Sequence, residues 1–192
     1  MTPPIIILTG PSGAGKSSVS DGLLKRDRIK LRKFVTCTTR PKRPGERNGK
    51  EYWFLTQERF AADVKDGWFF EHAIVYGNGY GSSKREMERL LKGRVPILMV
   101  LDIQGARTLK TAHPNAFILF LRSPKRDLIR RVKERKPDPA DLKRRTASME
   151  REIGKREIAD VLIHNPDGEL AKTVRTVESA ISRYLKGIPP KS

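Results

Sequence analysis

Residues 10–17 place a lysine and a serine directly after a loop that holds three glycines. This loop follows the apolar run at residues 5–8. Glycines let successive backbone N–H groups point to one centre, and a helix that begins at Lys16 adds the positive end of its dipole. In this spacing, Lys16 reaches phosphate oxygens and the Ser17 hydroxyl ligates Mg²⁺. The pattern predicts a site for the phosphates of a nucleoside triphosphate, built from Gly10, Pro11, Ser12, Gly13, Ala14, Gly15, Lys16, Ser17 and Ser18.

A carboxylate follows a second apolar run, at residues 97–101. An acid at the carboxyl end of a strand beside a phosphate loop is where Mg²⁺ or its water shell is held. Asp102 is therefore predicted to share the metal with Ser17. The alternative is that Asp102 serves only as the N-cap of the following helix, a position that favours aspartate.

The segment 36–54 is basic and rich in glycine and proline. Arg40 and Arg43 could hold a dianionic phosphate through planar guanidinium contacts, and the Tyr52 hydroxyl could donate a further hydrogen bond. A solvated basic loop is the alternative, because runs of charge commonly lie at the surface. The prolines and Gly45 favour a shaped loop and therefore a second anion site.

Four motifs in order resemble the guanylate kinase family. They are the phosphate loop, the stretch from Thr38-Thr39-Arg40 through Pro44-Gly45-Glu46 to Tyr52, the pair Phe70-Glu71, and Tyr80-Gly81-Ser82. The resemblance covers almost the whole chain. It implies a reaction in which the γ-phosphate of ATP passes to GMP or dGMP, giving ADP and GDP, with Mg²⁺ as cofactor.

The resemblance implies a guanine pocket around Glu71. Guanine presents two N–H donors beside its O6 acceptor, and one carboxylate can accept both. Adenine would leave that carboxylate unpaired, and buried polar groups reject a mismatched partner strongly. An exposed edge carboxylate is the alternative for Glu71. The residues implied for GMP are Thr36, Arg40, Arg43, Tyr52, Glu71, Tyr80, Ser82 and Asp102.

The same resemblance assigns three arginines to catalysis together with Lys16. Arg131, Arg135 and Arg145 match arginines that line a mobile lid, and the spacing of the first two predicts a shared helix face. Solvated helix faces are the alternative. Asn165 matches a position near the adenine ring. One departure is Val100, which stands where the family pattern often has an acid and leaves Asp102 alone there.

The elements that must position these residues alternate between strand and helix. Apolar runs at 5–9, 97–101, 116–121 and 160–163 each precede a helical segment, opened in one case by Ser123 as N-cap with Pro124. This order predicts an α/β fold with a parallel P-loop sheet flanked by helices. Residues 34–92 break the alternation and predict an inserted small α+β lobe with antiparallel strands near 51–55 and 68–76. The prolines near 137–139 predict a short lid at about 135–145. The predicted domains are a core of residues 1–33 and 93–192 and a GMP-binding lobe of residues 34–92.

Composition limits the function classes. The net charge is +18, and residues 122–156 hold fourteen Lys/Arg against six Asp/Glu without any aromatic residue. Binding of single-stranded nucleic acid uses aromatic stacking, so no specific nucleic-acid partner is expected. The single cysteine and the lack of a signal-peptide pattern or long apolar stretch predict a cytoplasmic protein without membrane contact. A monomer and a homodimer are both compatible with the sequence.

Three other functions compete with a GMP kinase. A kinase for another acceptor, such as a ribose bisphosphate, would lack the full set of Arg40, Arg43, Tyr52 and Glu71. A non-catalytic binding module of the same family would typically lack the phosphate-loop lysine, which this chain keeps as Lys16. A nucleic-acid binder would use the excess positive charge.

Overall fold

The structure is a computed structural model in which residues 2–188 are described. Its strands are β1 Ile5–Thr9, β2 Arg32–Lys33, β3 Cys37–Thr38, β4 Trp53–Phe54, β5 Phe69–Val75, β6 Asn78–Ser83, β7 Ile97–Val100, β8 Phe117–Arg122 and β9 Val161–His164. Its helices are α1 Lys16–Arg26, α2 Gln57–Lys65, α3 Lys84–Leu91, α4 Ile103–Ala112, α5 Lys125–Lys133, α6 Pro139–Gly154 and α7 Leu170–Leu185, with a 3₁₀ turn at Lys155–Ile158.

The larger sheet has five parallel strands in the order β2-β7-β1-β8-β9. Alternate residues of β1 enter different apolar clusters. Ile6 and Leu8 pack on the side of α1 and α7, whereas Ile5 and Ile7 pack with Met87 on the other. A strand buried on both faces reads as a continuous apolar run, as β1 does. The predicted α/β fold with a parallel sheet covered by helices is confirmed.

Parallel pairing brings the functional loops to one edge of this sheet. Leu8 of β1 pairs with Val100 of β7, so the phosphate loop and Asp102 leave the sheet side by side. Ligands of open α/β sheets bind at the carboxyl ends of the strands.

The second sheet lies within residues 34–92 and has the order β4-β3-β6-β5. The strands β5 and β6 are antiparallel, as expected, but β4 is only two residues long and runs parallel to β3. The expectation of an antiparallel strand at 51–55 was wrong, because residues 39–52 carry the chain back so that β4 enters the sheet in the same direction as β3. Met87 and Leu90 of α3 belong to the core of the larger sheet, so the small sheet is anchored to it. The boundaries of the lobe and of the lid stay predictions.

The start of α5 differs from the sequence-based prediction. Pro124 is the N-cap residue, and the Ser123 hydroxyl donates to the Asn165 carbonyl (2.6 Å) instead of capping the helix. The spacing Ser83-x-x-Glu86 predicts a capping box before α3, and half of it is present. Ser83 accepts from the Glu86 backbone N–H, while the Glu86 carboxylate pairs with Arg89. Within residues 2–188, no helix is both long and apolar enough to cross a bilayer.

Candidate functional site

The loop between β1 and α1 is held by backbone that only glycine tolerates. Gly10 and Gly13 have φ angles of +137° and +83°. A Cβ on Gly10 would lie 2.3 Å from the Leu121 carbonyl oxygen, and one on Gly13 would lie 2.7 Å from that of Leu128. The strand β8 and helix α5 therefore press directly against the loop. This packing fixes the shape of the loop.

Lys16 turns back over this loop. Its Nζ donates to the carbonyl oxygens of Gly10 (2.6 Å) and Pro11 (3.1 Å). The pKa of Lys16 is lowered to about 8, mainly by the loss of hydration; Glu152 and Asp102 oppose this shift, and the charges of Arg135 and Arg145 contribute to it. An anion in this cleft would relieve the repulsion and favour the charged ammonium.

Asp102 caps a helix and also faces the cavity, so its position is compatible with each of the two roles that the sequence allowed. It is the N-cap of α4, and its Oδ1 accepts from the backbone N–H groups of Gln104 (2.7 Å) and Gly105 (3.2 Å). It also lines the same cavity as Ser17. Among the described residues there is no cluster of three or more His, Cys, Asp or Glu side chains that could hold a metal.

One hydroxyl and one carboxylate are a suitable donor set for Mg²⁺. This ion prefers oxygen ligands and is usually bound through one or two carboxylates plus substrate phosphates and water. An ion that is held mainly by substrate phosphates and water therefore needs fewer than three protein ligands. Val100 lines the cavity next to Asp102 and adds an apolar surface there.

Glu71 lies at the floor of a pocket in the small sheet. It faces Ser82 across the antiparallel pair β5–β6, and the Ser82 hydroxyl donates to its Oε1 (2.5 Å). Burial raises the pKa of Glu71 to about 7, opposed by the Ser82 hydrogen bond and assisted by Asp102. Thr36 is also buried and lines the cavity with Tyr80. A buried carboxylate held ready to accept hydrogen bonds is what recognition of two adjacent N–H donors requires.

The second anion site is built around Arg40. Its guanidinium donates to both oxygens of Glu46 (2.8 and 2.9 Å) and to the Pro41 carbonyl, and it lies 5.4 Å from the centroid of the Tyr52 ring. Glu46 also accepts from the Arg43 backbone N–H. Burial raises the pKa of Tyr52 to about 12, so its hydroxyl remains a donor at neutral pH. The alternative of a solvated basic loop does not fit the buried Arg40.

Two of the three lid arginines reach the cavity. Arg145 donates to Ser12 Oγ (3.1 Å) and to Asp141 (2.8 Å). The pKa of Arg135 is lowered to about 10, mainly by the loss of hydration and also by the charges of Arg43, Arg145 and Arg40. Four guanidinium groups line the same cavity, those of Arg40, Arg43, Arg135 and Arg145. Such a concentration of positive charge is suited to polyanionic phosphate groups.

Arg131 and Asn165 have different surroundings from those predicted. Arg131 donates to the carbonyl oxygens of Gly13 (3.2 Å) and Asn165 (2.8 Å) and pairs with Asp167. The expectation that Arg131 and Arg135 share a helix face was wrong, because α5 ends at Lys133, before Arg135. The Asn165 side-chain amide donates to the Ala14 carbonyl (2.8 Å) and is buried. Both residues support the phosphate loop from behind, and neither lines the cavity.

One cavity brings together most of the predicted site. The predicted residues along its wall are Gly10, Ser12, Gly13, Ala14, Gly15, Lys16, Ser17, Ser18, Thr36, Arg40, Arg43, Tyr52, Glu71, Tyr80, Asp102, Arg135 and Arg145. Pro11 and Ser82 lie just behind this wall, Pro11 through its carbonyl on Lys16 and Ser82 through Glu71.

Two residues of the cavity, Glu152 and Tyr76, were not predicted from the sequence. Both line the cavity, and Glu152 accepts the backbone N–H of Ser12 at 3.2 Å. The available signal was the helical spacing of Arg145, Ser148 and Glu152, which puts the three on one face of α6.

Comparison with known proteins gives consistent matches. The family model described as guanylate kinase matches residues 2–184. The guanylate kinase of Rickettsia bellii is 39% identical over 184 residues, covering 95% of both chains. That of Coxiella burnetii is 36% identical over 169 residues, covering 87% of this chain and 82% of the relative.

Solved structures of kinases are also similar to this chain. A guanylate kinase from Anaplasma phagocytophilum superimposes with a TM-score of 0.75 at 28% identity, covering 100% of this chain and 88% of the other. A shikimate kinase from Acinetobacter baumannii, at 15% identity and a TM-score of 0.51, shares only the fold.

Proposed function

This chain belongs to the guanylate kinase family, and from that premise we propose that it transfers the γ-phosphate of ATP to GMP or dGMP with Mg²⁺, giving ADP and GDP. It is a nucleoside monophosphate kinase that phosphorylates GMP. The observation that supports transfer between two nucleotides is the presence of two groups of cationic residues in one cavity. Lys16 and the phosphate loop form one part of its wall, and Arg40 and Arg43 form another part.

The reaction needs no general base from the protein. The attacking atom is an oxygen of the GMP phosphate, which is ionised at neutral pH, and ADP leaves from the γ-phosphorus. Catalysis then rests on positioning and on neutralising phosphate charge. Arg40 and Arg43 orient the acceptor, whereas Lys16, Arg135 and Arg145 stabilise the oxygens of the transferring group.

Ser17 and Asp102 are the residues that would hold Mg²⁺. When bound, this ion supplies positive charge to the phosphate oxygens. The predicted roles of Arg131 in catalysis and of Asn165 near adenine remain part of the proposal, although the contacts of both point to support of the phosphate loop. A cytoplasmic location also remains a proposal, based on a single buried thiol.

Specificity for guanine is assigned to Glu71. Its carboxylate would accept the N1–H and N2–H₂ groups of the base, and the Ser82 hydroxyl fixes the orientation of that carboxylate. AMP offers an acceptor where GMP offers a donor. The site should therefore reject AMP by a large factor, since a buried polar group would be left unpaired.

A panel of nucleoside monophosphates tests the proposal directly. ADP release from ATP, followed in a coupled assay, should be rapid with GMP and dGMP, far weaker with AMP, CMP and UMP, and dependent on added Mg²⁺. Comparable rates with AMP and GMP would refute the role of Glu71. Turnover of a sugar phosphate without turnover of GMP would point instead to a kinase with another acceptor.

A further inference from the structure

The turn between β5 and β6 contains a residue in an unusual conformation. Val75 pairs with Asn78, so Tyr76 and Gly77 form a two-residue turn, and their φ angles are +53° and +80°. Asparagine or glycine is the usual choice at the first position of such a turn, because a bulky side chain is disfavoured there. A tyrosine held in this conformation suggests that its side chain has a function.

The Tyr76 side chain extends from the small sheet to α6. Its hydroxyl donates to the Glu152 carboxylate. Ser148 Oγ lies within hydrogen-bonding distance of both groups, at 3.3 Å from the hydroxyl and 2.8 Å from Glu152 Oε1. The guanidinium carbon of Arg145 lies 4.6 Å from the centroid of the Tyr76 ring. One tyrosine therefore contacts three residues on one face of α6.

The same residues of α6 continue to the phosphate loop. The second oxygen of Glu152 accepts the Ser12 backbone N–H (3.2 Å), and Arg145 donates to the Ser12 hydroxyl (3.1 Å). A continuous path of hydrogen bonds thus runs from the turn of the small sheet, through α6, to the loop proposed for ATP. None of the residues on this path is among those proposed to hold Mg²⁺ or guanine.

We propose that Tyr76 and Glu152 form a latch that couples the two nucleotide sites of this enzyme. The latch docks the small sheet on α6 and thereby orients Arg145 and Ser12, so that the arrangement favoured by GMP is also the arrangement that binds ATP. Tyr76 and Glu152 are positioning residues. This inference rests on the proposed function, since it assigns GMP to the small sheet and ATP to the phosphate loop.

A purely electrostatic role for Glu152 is the main alternative. Glu152 lies near Lys16 and several arginines, and its negative charge opposes the lowering of the Lys16 pKa. In that case the tyrosine hydroxyl would be dispensable. Tyr76→Phe separates the two explanations, because it removes one hydroxyl and leaves both the ring beneath Arg145 and every charge in place.

The test uses Tyr76→Phe, Glu152→Gln and the double variant of the full chain. Tyr184→Phe is a matched control, since that hydroxyl donates to the Asn115 carbonyl away from the cavity. Glu150→Gln is the second control, an exposed acid on α6 that pairs with Lys125. Calorimetry gives the affinity for GMP with and without ADP, and initial rates give kcat and KM for each substrate.

The wild-type chain should bind GMP more tightly when ADP is present, by about 5- to 100-fold, the range of ordinary coupling between sites. Tyr76→Phe and Glu152→Gln should abolish most of this coupling and lower kcat roughly tenfold, because small displacements of charged groups are costly in catalysis. The affinity for GMP alone and the thermal midpoint should change little. The double variant should resemble the single ones, as expected for partners in one interaction.

Coupling equal to that of the two control variants would overturn the latch, as would strictly additive effects in the double variant. If Glu152→Gln fails to fold, Tyr76→Phe still decides the question. A wild-type chain without GMP turnover would instead contradict the proposed function, and the calorimetric coupling between GMP and ADP would still test the latch.

Discussion

Glu71 and Lys16 both have pKa values displaced towards neutrality by the loss of water around them. Burial raises the pKa of Glu71 to about 7, and loss of hydration lowers that of Lys16 to about 8. In each case the charged form is costly in the free protein. A ligand that pairs with the charge offsets this cost, so both residues are prepared for a partner of opposite polarity.

The pH dependence of GMP binding follows from Glu71. The carboxylate must be ionised to accept both guanine donors, so KM for GMP should rise about tenfold between pH 8 and pH 6, one unit below its pKa. The GMP phosphate also titrates near pH 6. Glu71→Gln is therefore the control, because it keeps the phosphate contribution and removes that of the carboxylate. A KM independent of pH in the wild-type enzyme would contradict the assignment.

The raised pKa of Glu71 also predicts that the ligand-free protein becomes less stable as pH rises, whereas GMP binding improves. Between pH 4.5, the ordinary value, and about pH 7, the unfolded chain loses the Glu71 proton while the folded chain keeps it. The free energy of unfolding therefore falls as pH rises through this window. Glu71→Gln should stabilise the ligand-free protein at pH 8 by up to about 3 kcal/mol and have little effect at pH 4.5. Urea unfolding at both pH values would measure it.

Lys16→Ala should lower kcat by at least about 10²- to 10³-fold, because it removes a cation from the transferring phosphate. Lys25→Ala, at an exposed position on the same helix, should leave kcat unchanged. The matched pair distinguishes loss of charge in the site from loss of charge on the molecule. Retention of most activity by Lys16→Ala would remove the phosphate loop from the mechanism.

At the scale of elements, the first turn of α4 contributes residues to two parts of the proposed site. Its N-cap, Asp102, faces the cavity, and Gly105 lies against Glu71, where a Cβ would come within 2.9 Å of Oε2. One turn of helix therefore touches both the proposed metal site and the proposed base pocket. Two substitutions separate these functions from the stability of the helix.

Asp102→Asn should keep the cap and lose the charge. The amide oxygen can still accept from the Gln104 and Gly105 backbone N–H groups, so stability should remain close to that of the wild type, whereas Asp102→Ala should cost about 1 kcal/mol. Both variants should lose activity, by about 10- to 100-fold, and need more Mg²⁺. Denaturation and Mg²⁺ titration provide the two readouts. A normal Mg²⁺ requirement in Asp102→Asn would leave Asp102 with capping as its sole role.

Gly105→Ala should displace Glu71 and raise KM for GMP roughly tenfold, equivalent to about 1.4 kcal/mol, with KM for ATP unchanged. Alanine is the better helix former, so a loss of GMP affinity would not come from unfolding of α4. Gly154→Ala at the end of α6 is the control, because no atom lies within 4 Å of the Cβ position there. If Gly105→Ala and Gly154→Ala had the same KM for GMP, a displacement of Glu71 would have no effect on GMP binding.

At the scale of the whole molecule, the net charge of +18 acts on two polyanionic substrates. The excess charge should speed their approach, and salt should screen this attraction, since the Debye length falls to about 8 Å at 0.15 M ionic strength. We expect kcat/KM for GMP to fall several-fold between about 0.05 and 0.3 M KCl, with kcat much less affected. Steady-state rates across this series test it. An unchanged kcat/KM would limit the role of the charge to solubility or to another partner.

The connection between the two sheets is also a property of the whole molecule. Met87 and Leu90 of α3 are buried in the core of the larger sheet. The latch residue Tyr76 approaches α6 from the opposite end of the small sheet. The small sheet is therefore anchored at one end and held by hydrogen bonds at the other, an arrangement that suits opening and closure around substrates.

Much of the site could be predicted from the sequence because its parts are local. The phosphate loop needs only glycines, a lysine and a serine at fixed spacing between a strand and a helix. Arg40, Arg43 and Tyr52 lie within thirteen residues of one another, and Asp102 directly follows a strand pattern. Short-range spacing determines such geometry, so the sequence predicted the residues and the α/β class together.

Only the tertiary structure decided which distant groups support these residues. Glu152 contacts Ser12 from 140 positions away, and Asn165 contacts Ala14 across 151. No spacing rule links such positions, because their approach depends on strand order and on the packing of α5 and α6 over the loop. The parallel pairing of β4 with β3 likewise joins positions that no spacing rule connects. The residues of each local motif could therefore be predicted from the sequence, whereas the distant residues that support them could not.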